Sequence, residues 1–199
     1  MAPTNRRSSA SAREDVLDAA YDLFSHRGVR AIGVDAIIAQ AGVAKATFYH
    51  HFPSKDDLVI AFLQRREQLW THEWFEAEVN RRGATPQARL LAIFDVFDEW
   101  FQREDFEGCP FLRTLFETFD AYQPQEDSVA AAARLHLASI RDIVQQYAEE
   151  AGVPQPGELA HKWQMLMAGS IVFAGYGDRS SARVAREAGE LLLEAALKA

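Results

Sequence analysis

The chain has 199 residues, 48% hydrophobic and 25% charged, proportions that exclude a disordered chain and are those of a globular protein with a buried core. Its net charge of −8 argues at first against a nucleic-acid partner, yet residues 1–55 hold seven Lys and Arg against five Asp and Glu, while residues 56–199 hold fourteen against twenty-four. A mildly basic head before an acidic body can still bind DNA if its cations share one face, and the single cysteine, Cys109, excludes an intramolecular disulfide and a zinc site built on several thiolates.

Apolar residues recur at helical spacing, with no sustained period-2 alternation, so the expected fold class is all-α. The first predicted helix runs from about Arg13 to His26 on a stripe of Val16, Leu17, Ala20, Leu23 and Phe24, with Gly28 as its stop. A second is expected over Val34–Ala41, with Ile37, Ile38 and Ala41 inward and Gly42 ending it. A third, short helix is expected over Lys45–His51, with Phe48 inward and Phe52-Pro53 closing it. Ser54 is a suitable N-cap for a long fourth helix to about Arg81, some ~40 Å at 1.5 Å per residue. Asp56 and Asp57 favour its positive end, and Val59, Phe62, Leu63, Leu69, Trp70 and Trp74 form its buried stripe. Gly83 to Pro86 breaks the chain, and later helices are expected at 86–103, 110–121, 125–151, 157–177 and 180–198.

The link Ala41-Gly42-Val43-Ala44 between the second and third helices has helix-turn-helix spacing. Opposite Phe48, the third helix presents Lys45, Thr47, Tyr49, His50 and His51. These groups can meet phosphates or base edges, and none is negative. Ala44 and Ala46 allow close approach to a groove, and Lys55 stands at the next helix start, where an ammonium and a helix N-terminus can meet one phosphate. A glycine between helices is commonly only a cap, and a Tyr-His-His run commonly only a solvated face. It is the agreement of spacing, polarity and turn that points to DNA.

Residues 13–62, and above all Gly42-Val43-Ala44-Lys45-Ala46-Thr47-Phe48-Tyr49-His50-His51-Phe52-Pro53-Ser54-Lys55-Asp56-Asp57-Leu58, resemble the N-terminal domain of TetR-family regulators. The resemblance implies a head, residues 1–55, comprising an N-terminal arm and a three-helix helix-turn-helix DNA-binding domain. A long helix joins it to residues 56–199, a helical ligand-binding and dimerisation domain. On the positions that contact DNA in the family fall Lys45, Ala46, Thr47, Tyr49, His50 and Lys55, and His51, on the same polar face of the third helix, is also expected at the duplex. The chain departs from the family at the start of the second helix: Gly33 replaces the usual Thr or Ser cap, and Asp35 cannot attract phosphate.

The resemblance further implies a homodimer through the last two helices, here with Leu166, Phe173, Val184, Ala188, Leu191, Leu192 and Ala195 at the interface. Gly169, Gly175 and Gly177 permit close approach there, although such stripes can equally pack inside one subunit. The aromatic middle offers Phe97, Trp100, Phe101, Phe111, Phe116 and Phe119, with Trp163, as walls for a small apolar or aromatic ligand, or simply as core. The segment Glu107-Gly108-Cys109-Pro110-Phe111-Leu112 resembles one in a subset of TetR-like proteins. Cys109 reads first as a packed thiol and second as a redox switch. His136 and His161 lack metal-ligand spacing and read as packed or surface residues.

The expected function is therefore a ligand-released repressor that binds a palindromic double-stranded operator as a dimer. The alternatives are an activator, a regulator without a small ligand, and, in another class, a helical adaptor. No phosphate-binding Gly loop, His-Glu-x-x-His or serine elbow argues for an enzyme, and no metal or cofactor is expected. No apolar stretch nears the ~20 residues that span a bilayer, and Met1 to Ala12 lacks the apolar core of a secretory signal, so the expected location is the cytoplasm with no membrane partner.

Overall fold

The computed structural model describes residues 9–118 and 128–198, and among these the regular elements are all helical. They fall into two compact units. The first holds the described residues up to Arg65 and those between Arg113 and Ala133; the second holds Arg66–Leu112 and the residues from Arg134 onward.

In the first unit, α1 (Ser9–Arg27), α2 (Val34–Ala41) and α3 (Lys45–His51) pack on one another. α1 starts four residues before the sequence pattern suggests, because Ala12 also turns into the core. Val16, Leu17, Ala20 and Phe24 are buried along one face at i, i+1, i+4 and i+8. α4 (Lys55–Arg66) adds Leu58, Val59, Phe62 and Leu63, with Phe62 meeting Phe24 and Tyr21 edge-on at centroid distances of 5.4 and 5.6 Å. The compact unit thus extends past residue 55 because its core is completed by α4. Arg65 ties α4 back to α1 through Asp18 at 2.6 Å and through Glu14.

The second unit opens with a helical segment of wider turn, Glu67–Phe75, in which the backbone bonds run i to i+5. Side chains five apart meet there: Gln68 Nε2 donates to Glu73 Oε1 at 3.1 Å, and the Trp70 ring stacks on Phe75 at 5.3 Å and 7°. α5 (Glu76–Arg82) completes the run, so the helix expected to Arg81 exists but is not uniformly α-helical. Leu69, expected in its buried stripe, is 45% exposed. A stripe drawn at 3.6 residues per turn misplaces residues once the turn widens.

α6 (Pro86–Gln102) begins at a Thr85 cap, whose Oγ1 accepts from Ala88 N at 3.2 Å, with Pro86 at the first helical position. It forms the centre of the core through Leu90, Ile93, Phe94, Phe97 and Phe101. α7 (Pro110–Thr118) and α8 (Ser128–Glu150) follow, then α9 (Pro156–Gly175) and α10 (Ser181–Lys198), which pack on each other, with α10 also on α6. Gly189 lets α10 approach. A Cβ there would lie 2.9 Å from Trp163 Cη2 and 3.1 Å from Phe94 Cε2. No helix among the described residues is long and apolar enough to cross a membrane.

Candidate nucleic-acid interface and ligand cavity

The turn between α2 and α3 is made by Gly42, whose φ of 63° is left-handed and whose N–H donates to the Ile38 carbonyl at 3.0 Å. This closes α2 and lets α3 start at Lys45. Phe48 is fully buried and packs against Tyr49 and Phe52, which fixes the rotation of α3. Lys45, Ala46, Tyr49 and His50 are then exposed, while Thr47 and His51 are half-buried. Ser54 and Asp57 cap α4 reciprocally: Asp57 N donates to Ser54 Oγ at 3.1 Å and Ser54 N to Asp57 Oδ2 at 3.0 Å.

Two of the candidate cations are not simply solvated. Lys45 Nζ lies 3.3 Å from Asp35 Oδ1, so the acidic residue at the start of α2 holds the first ammonium of α3. Gly33 provides no side-chain cap to α2. Lys55 is half-buried, and burial pushes its ammonium below the usual lysine range, with Asp56 and Glu117 opposing that effect.

Within the second unit, an apolar cavity of about 50 Å³ is walled by Trp70, Phe97, Trp100, Phe111, Leu112, Ile140, Met167 and Ile171, with Arg66, Cys109, His136 and Gln164 as its polar members. Of the residues expected at a ligand site, Phe97, Trp100 and Phe111 meet here. Phe101 and Trp163 are in the core without lining the cavity, Trp163 packing on Phe94 at 5.4 Å. Phe116 is 71% exposed, and Phe119 lies outside the described residues. The sequence reading missed Arg66, His136 and Gln164. For His136 a signal existed: on α8 it shares the inward positions of Ala133, Ile140, Val144 and Tyr147, all buried.

Two cavity residues have carboxylate neighbours. Arg66 Nη1 lies 3.2 Å from Glu107 Oε1, and His136 Nδ1 lies 3.4 Å from Glu67 Oε1. The His136 ring stacks on Phe111, centroids 3.3 Å apart at 11°. Burial lowers its pKa to about 4 against the raising effect of Glu67. Cys109 directly precedes α7 and also lines the cavity, whereas His161 is exposed.

α9 and α10 each have two apolar faces. Leu159, Trp163, Met167 and Ala174 turn inward, as do Ala185 and Leu193. Met165, Phe173, Tyr176, Val184 and Leu191 are exposed, and Leu166, Gly169, Phe173, Val184 and Ala188 help line a groove of about 300 Å³. Of the residues expected at a dimer interface, Phe173, Val184, Leu191 and Ala195 are exposed, and Leu166, Ala188 and Leu192 are half-buried. Leu166 and Leu192 also pack against the chain's own core. A Cβ at Gly169, Gly175 or Gly177 would meet nothing within 4 Å in this chain.

Residues 16–62 match the family described as bacterial regulatory proteins of the tetR family, and residues 86–189 match the tetracyclin repressor-like C-terminal domain. The transcriptional activator FasR of Mycolicibacterium smegmatis is 29% identical over 175 residues, covering 85% of this chain and 74% of its own length. The transcriptional repressor Rv3405c of Mycobacterium tuberculosis is 31% identical over 144 residues, 68% and 73% of the two chains. A crystal structure of a TetR-type transcriptional regulator from Streptomyces avermitilis superposes with a TM-score of 0.81 at 29% identity, covering 96% of this chain and 98% of that one. With a helix-turn-helix head and a helical body both matched, the chain belongs to the TetR family and is a DNA-binding transcriptional regulator.

Proposed function

We propose that the protein is a dimeric repressor in the cytoplasm that grips a palindromic operator through α3 and leaves it when a small apolar ligand occupies the cavity. The observation that carries the reading is the pairing of a solvent-facing α3, fixed by buried Phe48, with an aromatic cavity in the second unit. On this reading residues 1–55 bind DNA, with Lys45, Ala46, Thr47, Tyr49, His50, His51 and Lys55 at the duplex, and residues 56–199 sense and dimerise. The outward apolar faces of α9 and α10 support self-association, since a two-fold DNA reader needs paired heads.

A cavity of about 50 Å³ is roughly a third of the ~150 Å³ that accommodates a benzene ring. A ring-sized ligand therefore selects a wider form of the cavity, and it can release DNA only by its preference for that form. Arg66, a cavity residue, follows Arg65, where the chain leaves the first unit. That covalent step gives the cavity a mechanical link to α4. A second reading, an activator with the same DNA contacts, is favoured by the likeness to FasR. The test of the sensing model is linkage. The factor by which a ligand weakens operator binding must equal the factor by which operator weakens ligand binding. Calorimetric ligand titrations with and without operator should differ by that factor, and equal affinities would overturn the sensing model.

A further inference from the structure

We propose that the cavity is built for a neutral aromatic molecule carrying one hydrogen-bond donor, and that His136 is the residue that reads this donor. The inference rests on the sensing reading above and goes beyond it by fixing the chemical class and the reader.

Charge selects first. The guanidinium of Arg66 already faces Glu107, and burial keeps the wall residue His136 neutral, so no residue lining the cavity offers an unpaired charge. A carboxylate or an ammonium entering this space would lose its water without gaining a counter-charge. The remaining walls are mostly aromatic and aliphatic, with Trp70, Trp100 and Phe111 offering ring faces and edges. That surface favours a flat, uncharged ring.

His136 then adds direction. It is 4% exposed, lines the cavity, and is held flat against Phe111. Its Nδ1 faces the carboxylate of Glu67, and a carboxylate only accepts, so the neutral ring carries its proton on Nδ1. The 3.4 Å approach to Glu67 is an electrostatic contact rather than a hydrogen bond of good geometry, and it leaves Nε2 as the acceptor of the neutral ring. An acceptor buried beside an apolar cavity discriminates strongly, because a ligand without a donor leaves it unsatisfied. Gln164 donates its Nε2 to the Leu137 carbonyl and keeps Oε1 as a second acceptor at the walls, so the His136 variant is what separates the two readers.

Calorimetry of the full chain with phenol, toluene and benzoate separates the possibilities. Phenol should bind roughly tenfold more tightly than toluene, and benzoate more weakly than either. His136→Phe, which keeps a ring against Phe111, should erase the preference while toluene binding persists. Glu67→Gln, which no longer fixes the proton on Nδ1, should reduce it as well and stands in if the Phe variant does not fold. Equal binding of phenol and toluene, or an unchanged preference in both variants, would overturn the role of His136 and leave the sensing reading intact. Benzoate binding tightest would overturn the neutral class. If none of the three binds, the proposed ligand class fails; linkage with operator is a separate measurement and still decides the sensing reading.

Discussion

At the scale of single residues, His136 and Lys45 carry the sharpest consequences. Burial holds His136 neutral, so the folded chain takes up this proton near pH 4, whereas an unfolded histidine takes it up near pH 6.5. Between those values the unfolded state binds more protons, and stability falls as pH drops through the window and levels off below it. The loss attributable to this group should reach about 2 kcal/mol by pH 5. The urea midpoint should therefore fall between pH 7 and pH 5 in the wild type, and fall less in His136→Phe; an equal fall in both would mean the group does not titrate as described. Lys45 is held by Asp35 in an exposed pair worth at most ~1 kcal/mol, weak enough for a phosphate to displace. Lys45→Ala should weaken operator binding and lower the salt slope by about 1. Asp35→Asn should tighten binding to operator and unrelated duplex alike, and a gain confined to operator would contradict a purely electrostatic role. The exposed face of α3 was legible in the sequence because Phe48 fixes its rotation from within the same seven residues. The His136–Glu67 pair was not, because it joins residues 69 apart through the packing of two different helices, which no local pattern encodes.

Among the elements, the short helices were the most legible. Gly42, Phe52-Pro53 and the Ser54–Asp57 cap are local devices, and α2 and α3 fall at the expected residues. The long run from α4 to α5 was legible in extent and not in register. Nothing in the composition of Glu67–Phe75 announces i to i+5 bonding, and its signs, such as the Gln68–Glu73 and Trp70–Phe75 pairs, are recognisable only after the turn has widened. The division of α9 into inward and outward apolar faces was likewise blurred, since both faces are built of large residues and only packing separates Trp163 from Phe173. Gly189 supplies a direct test of the α6–α9–α10 core. Gly189→Ala places a methyl against the Trp163 and Phe94 rings and should cost about 1–3 kcal/mol. A thermal midpoint unchanged from wild type would mean that α10 can move away from α9 without loss.

For the whole molecule, the uneven charge acquires a physical sense. On the proposed reading the acidic body would repel DNA and leave the mildly basic head, with its exposed Lys45, as the part a duplex approaches. Self-association through α9 and α10 is best tested at Leu191, which is 70% exposed and so tolerates a charge in the single chain, rather than at Leu192, which packs on the chain's own core. Leu191→Glu should leave helicity intact and weaken the dimer by several kcal/mol; a dimer of unchanged affinity in sedimentation would place the interface elsewhere. The most direct measurement of the central claim, two α3 helices reading one duplex, is selection of bound DNA from a random pool, followed by sedimentation of the complex. The account predicts an inverted repeat whose half-sites present successive major grooves about 34–36 Å apart, or somewhat more, with paired chains on it. A selected site without internal two-fold symmetry, or a single chain per duplex, would contradict it.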